Sequence, residues 1–364
     1  MNGSTVVILQ NSIKTTASFR IGYIYKLLAD GAKVKVIAPN DCQYSKERLT
    51  DLGVDVLCTE NMQGFGKFIS YTQLNMMLLK ERLVNKNNIY VCHFVSTLII
   101  FYITLVPFNR HLCVYVEGLG SIFGRNIYLQ KFLRFLVGLS SGSYLFCNAF
   151  EKASVGRAYD VVTGGIGINL CDFDYEREES DPQMKHLLYV GRLIEDKGVS
   201  VAIKTFEELS KSMDVTLHLV GDIYINNPTS LSERDINNFK DRFGELIQFH
   251  GYQTDLRKFY SKADVLLLPS KLEGFPVCVM EASAVGVPSV CFNVPGCRDA
   301  ISEGINGFLS QPFLLDEYIQ NVREALSRSR EMKSRCRQYA KRKFDREEKD
   351  RVIISTLKGL KYRQ

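Results

Sequence analysis

The stretch ADVLLLPSKLEGFPVCVMEASAVGVPSV, residues 263–290, decides the fold expected for this chain. It opens with an apolar run, passes through a loop that holds Glu273, continues as a helical pattern and enters a second apolar run. Pro276 suits the first helical turn, because its missing N–H needs no partner there. A strand, a helix and a second strand in this order predict a parallel β-α-β unit.

The same alternation continues on both sides of this stretch. STVVILQ, AKVKVIAPND and HLCVYVE are strand candidates in the first half, and HLLYVGRL, DVTLHLVGD and IQFHGY in the second. The polar, acidic residues 172–186, with Asp181-Pro182, indicate a linker. The sequence therefore predicts an α/β protein of two Rossmann-like, doubly wound domains, followed by a long charged C-terminal helix. Its expected divisions are residues 1–172, 173–340 and 341–364.

Composition and charge indicate a folded protein with an uneven distribution of charge. The 364 residues are 46% hydrophobic and 24% charged, which excludes a disordered chain. The net charge is +6, yet residues 1–172 hold 17 Lys and Arg against 11 Asp and Glu, and residues 323–364 hold 15 against 6. Residues 173–322 hold 14 against 23. This pattern predicts a basic face for an anionic partner, with solvated helix faces as the alternative.

The cysteines and the apolar segments bear on the cellular compartment. Ten cysteines are scattered without a C-x-x-C pair, which favours free thiols in a reducing cytoplasm. The first residues predict a strand rather than a signal peptide. Residues 87–109 carry no charge, and a buried strand followed by a buried helix is favoured over a membrane span. Residues 127–142 suit either an interfacial helix or a core helix with two exposed bases.

Two loops that follow strands carry groups suited to an anionic ligand. In the loop 191–198, Gly191 permits close backbone approach, and Arg192 and Lys197 can converge on a phosphate or diphosphate. The alternative is two surface bases on a turn. The glycine turns at 295–299 and 303–308 suit the same cleft or simple turns and caps.

The second loop suited to an anionic ligand lies within the stretch 263–290 and leads from Glu273 into a helix that carries Glu281. Backbone N–H groups at Gly274 and Phe275, near the helix start, suit an anion. Glu281 lies just over one helical turn along, where a carboxylate can accept hydrogen bonds from a ribose diol. Glu273 lies in the loop after an apolar strand and Glu281 lies in the helix that follows, which makes the pair more informative than either residue alone.

These segments carry a family resemblance. GRLIEDKG, LHLVGD, IQFHGY, the stretch 263–290 and PGCRDAISEGINGF resemble, in order and spacing, the donor half of retaining glycosyltransferases of family 4. The resemblance covers residues 187–310 and includes an E-x7-E element. It implies the GT-B fold, in which two Rossmann-like domains face a cleft and a C-terminal helix crosses back to the first domain.

The resemblance also implies roles for individual residues. Arg192 and Lys197 would bind the diphosphate of a nucleotide-sugar donor, and Glu281 would bind its ribose. Glu273, with Gly191 and the backbone of residues 274 and 275, would hold the donor sugar and its phosphate. No metal and no cofactor are expected, because the basic side chains neutralise the leaving diphosphate and the UDP-sugar is itself a substrate.

The first half resembles the family more weakly. Asn11-Ser12-Ile13-Lys14 stands where many members have a glycine pair, and Glu117-Gly118 where many have a histidine. Phe19-Arg20 and GLG-x-x-F resemble a bacterial branch that extends saccharides on undecaprenyl diphosphate in O-antigen, lipopolysaccharide or capsule assembly. Arg20, Glu117 and Gly118 are therefore candidate acceptor or sugar contacts. The implied location is the cytoplasmic side of the plasma membrane, on an anionic surface and without nucleic acid.

Other functions fit the sequence less well. Residues 118–124 have the spacing G-x-G-x-x-x-G, and no acidic residue lies about 20 positions on to bind a ribose, which disfavours a dehydrogenase. Asp172-Phe173-Asp174 resembles a D-x-D metal motif but falls in the expected linker. A nucleotide-sugar epimerase of the same architecture and a non-catalytic nucleotide-sugar-binding protein stay open as alternatives.

Overall fold

A computed structural model describes most of the chain, namely residues 1–60, 64–106, 110–175, 183–225 and 227–362. It divides into two compact units, Met1–Ile166 with Arg346–Gln364, and Gly167–Asp345. The boundaries thus follow residues 166 and 345, against the expected 172 and 340. Residues 176–182 of the expected linker, Asp181-Pro182 included, lie outside the described residues.

The first unit is built on a parallel sheet of the order β3-β2-β1-β4-β5-β6-β7. Its strands are β1 Thr5–Leu9, β2 Lys33–Asn40, β3 Asp55–Glu60, β4 Ile89–His93, β5 Leu112–Val116, β6 Ser143–Phe146 and β7 Val161–Val162. The central strand β1 pairs with β2 and β4, with Val6 opposite Val34 and Ile89. Its apolar residues are buried, as expected for a parallel strand covered on both faces.

Helices cover this sheet. They are α1 Ile13–Phe19, α2 Ile21–Ala29, α3 Gln43–Asp51, α4 Phe65–Val84, α5 Val95–Leu105, α6 Gly120–Arg125, α7 Ile127–Gly138 and α8 Ala149–Val155. One core cluster joins β1, β4 and β5 to α4, α5 and α7 through buried side chains such as Leu74, Phe101 and Leu133. These three helices therefore lie on one face of the sheet.

The second unit repeats the pattern with the parallel order β10-β9-β8-β11-β12-β13. Its strands are β8 Lys185–Val190, β9 Val215–Val220, β10 Ile247–Phe249, β11 Val265–Leu268, β12 Ser289–Phe292 and β13 Gly307–Ser310. In both sheets the chain starts at the centre, winds to one edge and returns to build the other, which is the Rossmann-like doubly wound arrangement. The predicted fold class is confirmed.

The helices of the second unit follow its strands. They are α9 Val199–Leu209, α10 Glu233–Phe243, α11 Arg257–Lys262, α12 Val277–Val285, α13 Cys297–Ala300 and α14 Leu315–Lys343. Helix α12 begins at Val277, and Pro276, which was expected in the first helical turn, occupies the N-cap position in extended conformation. It ends at Gly286, whose left-handed φ of 95° closes the helix.

The C-terminal region is two helices rather than the single long helix predicted. Helix α14 ends at Lys343. The next residue, Phe344, is buried with its ring packed against Tyr339, and a further helix, α15 Arg346–Lys361, follows. Helix α15 packs against α2 in the first unit, where Asp350 pairs with Lys26 at 3.4 Å. The implied return of a C-terminal helix to the first domain therefore applies to α15.

This division corrects the expected distribution of charge. If the whole basic tail joined the first domain, the two parts of the chain would carry +15 and −9. In the structure the tail is shared: the first unit holds 23 Lys and Arg against 13 Asp and Glu, and the second holds 23 against 27. The units therefore carry +10 and −4.

The uncharged segment 87–109 contains β4 and α5, so the predicted strand and helix are confirmed. Of this segment, the structure describes residues 87–106. Among the described helices, none combines the length and the apolar character that crossing a bilayer requires. Helix α7 buries Leu133 and Val137 and leaves Phe132 and Phe135 exposed, so it combines features of both alternatives weighed for it.

Candidate active site

Three loops at the carboxyl ends of the second sheet are packed together by glycines. A Cβ on Gly221, after β9, would stand 1.9 Å from the carbonyl oxygen of Gly191, after β8. A Cβ on Gly198 would stand 2.1 Å from the carbonyl oxygen of Pro269, after β11. Only glycine permits these backbone contacts. The loop 191–198 is therefore held between its two neighbouring strand ends.

The loop carries Lys197 to Glu273. The Lys197 Nζ lies 2.7 Å from the Glu273 Oε1, and the two side chains are 24% and 11% exposed. A charge-assisted hydrogen bond in this half-buried setting fixes both groups. The structure thus brings together two residues that lie 76 positions apart in the chain.

Arg192 is held differently. Its guanidinium carbon lies 5.2 Å from the ring centroid of Tyr224, a cation–π contact with the loop after β9. The hydroxyl of Tyr189, in β8, donates to the Arg192 carbonyl oxygen at 2.7 Å. The side chain and the backbone of Arg192 are thus both oriented by tyrosines that sequence reasoning did not single out.

A further glycine fixes the loop of Glu273 and Gly274. Gly296, with a φ of 82°, would place a Cβ 2.4 Å from the Gly274 carbonyl oxygen and 2.6 Å from that of Glu273. Phe275 packs edge-on against Phe344, with ring centroids 6.0 Å apart. The turn 295–299 therefore supports the backbone of this loop.

Glu281, on α12, faces a separate part of the same edge. Its Oε2 accepts a hydrogen bond from the Tyr260 hydroxyl at 2.8 Å. The carboxylate lines a cavity of about 370 Å³ whose other walls are Asp172, Phe173, Thr254, Asp255, Leu256 and Arg257. A carboxylate beside an open cavity can accept hydrogen bonds from a diol, which is the chemistry predicted for this residue.

In the first unit, a buried polar network joins the ends of β4 and β5. Glu117 binds Arg20 at 2.5 Å through Oε2 and the Nδ1 of His93 at 2.7 Å through Oε1. The His93 Nε2 lies 2.8 Å from the Tyr23 hydroxyl. Phe94 follows with a φ of 68°, unusual for a residue with a side chain, and its ring lies 5.7 Å from the Arg20 guanidinium.

The charges of this network are set by burial and by each other. Burial and the Arg20 charge together lower the pKa of His93 to about 4, against the opposing effect of Glu117, so the imidazole is neutral at pH 7. Burial raises the pKa of Glu117, but the Arg20 charge and the His93 hydrogen bond outweigh it and leave that pKa lowered. Glu117 and Arg20 therefore form a buried ion pair.

Glu151, in the first turn of α8, holds the loop that follows Glu117. Its carboxyl group accepts from the backbone N–H groups of Gly118 and Leu119. Burial raises the pKa of Glu151 to about 8, against these hydrogen bonds and one with Asn148. The group is therefore mostly protonated at pH 7 while it orients the backbone of Gly118.

The predicted residues thus occupy two settings. The second unit brings Lys197 to Glu273 and sets Glu281 on the neighbouring cavity, and the first unit brings Arg20 to Glu117. Sequence reasoning missed a set of supporting residues: Tyr23, His93, Glu151, Tyr189, Tyr224 and Tyr260. Of these, only His93 had a usable signal, since it is a histidine at the end of an apolar strand.

The D-x-D sequence at 172–174 is divided between two environments. Asp172 lines the cavity of Glu281, and Asp174 pairs with Arg337 of α14 at 2.8 Å. Over the part of the chain that the structure describes, no group of three His, Cys, Asp or Glu side chains has the arrangement of a metal site.

Comparison with known proteins identifies relatives for this arrangement. Residues 172–343 match the family model described as glycosyl transferases group 1. The chain is 28% identical over 171 residues to the amylovoran biosynthesis glycosyltransferase AmsK of Erwinia amylovora, covering 44% of this chain and 38% of that relative. It is 27% identical over 318 residues to the N,N'-diacetylbacillosaminyl-diphospho-undecaprenol alpha-1,3-N-acetylgalactosaminyltransferase of Campylobacter jejuni, covering 79% and 80%.

The fold also matches solved structures. The crystal structure of Anabaena HepE in complex with UDP has a TM-score of 0.75 at 19% identity, covering 98% of this chain and 100% of that one. At this identity the likeness concerns the fold. Together the comparisons show that this chain is similar in sequence to proteins named as glycosyltransferases and that its fold of two Rossmann-like domains matches solved structures. The chain spans less than half the length of the Erwinia relative, so the activity, substrates and partners of the whole protein are matters of proposal.

Proposed function

We propose that this protein is a retaining glycosyltransferase of family 4. It moves a hexose or N-acetylhexosamine from a UDP-sugar onto a saccharide linked to undecaprenyl diphosphate. The product would serve the assembly of O-antigen, lipopolysaccharide or capsule. The protein would act at the inner face of the bacterial plasma membrane, as a peripheral protein on an anionic surface.

One observation carries this proposal. The Lys197–Glu273 pair and Glu281 lie on loops and a helix at the carboxyl ends of adjacent parallel strands. This is the edge at which doubly wound sheets bind nucleotides. A lysine supplies charge for a diphosphate, and a carboxylate eight positions along from Glu273 supplies an acceptor for a ribose diol.

The proposed donor site divides the work among these residues. Arg192 and Lys197 bind the diphosphate and stabilise the negative charge that grows on it as the sugar leaves. Glu273, with the backbone of Gly191, Gly274 and Phe275, holds the sugar and its phosphate. The proposal uses these two basic side chains in place of a metal ion, so chelation with EDTA should leave the rate unchanged.

The proposed reaction proceeds on one face of the sugar. The acceptor hydroxyl oxygen forms a bond to the anomeric carbon on the side from which the diphosphate departs. The bond from that carbon to the diphosphate oxygen breaks, and the hydroxyl proton passes to the departing oxygen. The anomeric configuration is therefore retained, and no protein side chain is needed as the base.

The acceptor is assigned to the first unit. The Campylobacter relative is named for an acceptor on diphospho-undecaprenol, and its match covers 79% of this chain. The buried Arg20–Glu117 pair and the oriented backbone of Gly118 supply fixed polar groups for a saccharide. The +10 charge of this unit favours an anionic membrane surface.

Release of UDP tests the proposal. The protein is incubated with a panel of UDP-sugars, with and without a synthetic undecaprenyl-diphosphate saccharide, and UDP is measured. We expect one donor to release UDP faster when the acceptor is present. Lys197→Ala should slow this release by orders of magnitude, while Lys211→Ala, which removes an exposed lysine on a surface pair, should not.

Other results would overturn it. UDP release that does not depend on the acceptor contradicts transfer. Interconversion of the UDP-sugars without release favours an epimerase, and binding without turnover favours a non-catalytic binding protein. Normal rates in Lys197→Ala would refute the assignment of the donor site.

A further inference from the structure

Three helices of the first unit form one continuous outer layer. Helices α4, α5 and α7 share the core cluster on one face of the sheet. The Asn75 side chain of α4 donates to the Ile100 carbonyl oxygen of α5 at 3.1 Å, and the Tyr102 hydroxyl of α5 donates to the Leu136 carbonyl oxygen of α7 at 2.8 Å. Because the helices are joined side by side, their outward faces form a single surface.

That surface is apolar. Each of the three helices buries one face in the core and exposes large hydrophobic side chains on the other. They are Phe65, Phe68, Met76, Leu79 and Leu83 on α4, Ile99 and Ile103 on α5, and Tyr128, Phe132 and Phe135 on α7, with Leu139 at its C-cap. We call these eleven side chains the apolar face. Scattered exposed hydrophobic residues need no explanation, but a contiguous patch marks a binding surface.

The charges around the apolar face are almost entirely positive. The sequences of the three helices contain one acidic residue, Glu81, which is 18% exposed and pairs with Lys35 at 2.9 Å. Their exposed charged residues are Lys67, Lys80, Lys131 and Arg134. Aromatic and aliphatic side chains bordered by lysine and arginine are the composition of a surface that lies in the interface of an anionic bilayer.

We infer that the apolar face is a bilayer-docking surface that inserts between anionic lipids. This inference rests on the proposed function and deepens it, because attachment through charge alone is replaced by insertion of named side chains. Helix α4 has 20 residues and so spans about 30 Å, enough to lie along the membrane plane. A second copy of the chain fits the apolar face less well, since a two-fold contact would bring the lysine and arginine side chains around one apolar face against those around the other.

Docking in this way would serve a lipid-linked substrate. The undecaprenyl chain stays in the bilayer while its saccharide projects into water. A protein seated on the interface through the first unit meets that saccharide without extracting the lipid. The lysine and arginine residues around the apolar face also attract anionic headgroups, and each contributes about 1 kcal/mol near the membrane surface.

Vesicle binding tests the inference. The full-length protein is sedimented with vesicles of phosphatidylcholine alone and of phosphatidylcholine with phosphatidylglycerol, at low and high salt. We expect tighter binding to the anionic vesicles and a substantial bound fraction at high salt. Replacing Phe132 and Phe135 by serine should weaken binding at least tenfold, because both rings are exposed and their loss spares the core.

A matched control uses aromatic residues outside the apolar face. Tyr25 and Tyr44, on α2 and α3, are 64% and 74% exposed. Replacing both by serine should leave vesicle binding unchanged. The affinity of every variant for UDP is measured in parallel, so a failure of the proposed donor site is seen separately from a failure of docking.

Three outcomes would overturn the inference. Vesicle binding of the Phe132/Phe135 variant equal to that of the unaltered protein removes the role of the apolar face. Complete release by high salt reduces the attachment to charge. A dimer in light scattering that the phenylalanine substitutions dissociate would make a second copy the occupant of this surface.

Discussion

Two glutamates that the sequence sets eight positions apart have separate roles. Glu273 lies on a loop and pairs with Lys197, whereas Glu281 lies on a helix and accepts from Tyr260. Their positions could be predicted because both follow an apolar strand, and the carboxyl end of a parallel strand is where ligands bind. Tyr260 could not be predicted, since its contact with Glu281 depends on how α11 packs against α12.

Glu281→Ala should weaken the binding of UDP. The carboxylate beside the cavity would no longer accept from a ribose, and a hydrogen bond to a charged group is worth about 1.5–3 kcal/mol, or roughly 10–150-fold in affinity. Calorimetric titration of UDP measures the change. Tyr260→Phe keeps the carboxylate and removes only its orienting hydroxyl, so its effect should be smaller. Unchanged affinity in Glu281→Ala would rule out the ribose role.

Glu151→Gln should make the stability of the first unit less dependent on pH, so that it falls less as the pH rises. The folded protein holds the Glu151 proton up to about pH 8, whereas the unfolded chain releases it near pH 4.5. Folding therefore takes up a proton between these values, and stability falls as the pH rises, by at most about 1.4 kcal/mol per pH unit. Glutamine does not titrate, so this loss disappears.

Melting curves of the two proteins between pH 5 and pH 8 measure the difference. The Tm of the variant should rise relative to that of the unaltered protein as the pH rises, and each kcal/mol of stability corresponds to about 2–4 °C in Tm. Glu47→Gln, at an exposed position of α3, serves as the control and should show no such trend. A gap between variant and parent that stays constant with pH would contradict the buried, protonated state of Glu151.

At the scale of elements, strands were predictable and tertiary contacts were not. Apolar runs such as those of β1 and β11 are recognisable because parallel strands are buried on both faces. The end of α14 carries no such signal, since the residues on both sides of Phe344 favour helix equally. The helix ends there because Phe344 is buried against Tyr339 and Phe275. The pairing of His93 with Glu117 likewise depends on the neighbouring positions of β4 and β5.

Gly296→Ala should disturb the donor loop, and Gly304→Ala provides a matched control. Both glycines have a positive φ, so alanine costs about 1–2 kcal/mol at either position. At Gly296 the new Cβ would also meet the Gly274 carbonyl oxygen at 2.4 Å, whereas at Gly304 the nearest atom is 3.9 Å away. Gly296→Ala should therefore lose more stability and also lose donor affinity.

Thermal melting and UDP titration of the two variants separate these effects. Gly304→Ala should lower the Tm while leaving UDP affinity intact. Equal behaviour of the two alanine variants in both measurements would show that the contact between residues 296 and 274 does not support the loop.

For the whole molecule, the sequence predicted two doubly wound sheets because each half repeats the alternation of strand and helix. It did not predict how the basic tail is divided, because the charge pattern continues across residue 345 without a break. The division follows from burial: Ile353, Leu357 and Leu360 of α15 are buried in the first unit, while α14 packs on α12 and the sheet edge of the second.

Ending the chain after Asp345 should therefore damage the unit at the opposite end of the sequence. Loss of α15 uncovers the apolar surface of α2 and removes the Asp350–Lys26 pair and the hydrogen bond from Lys349 to the Thr163 carbonyl oxygen. The first unit should melt earlier and bind a hydrophobic dye, while the second still binds UDP. Loss of UDP binding together with an intact first unit would contradict this assignment.

Because α15 follows the second unit in the chain, the first unit is completed on the ribosome only after the second unit has been made. Residues 1–166 emerge early, yet they wait for the translation of the entire second unit before their final helix arrives. At about 5–20 residues per second, that interval is on the order of 10 to 40 s. During it the surface that α15 will cover is open to chaperones, so the order of maturation runs opposite to the order of synthesis.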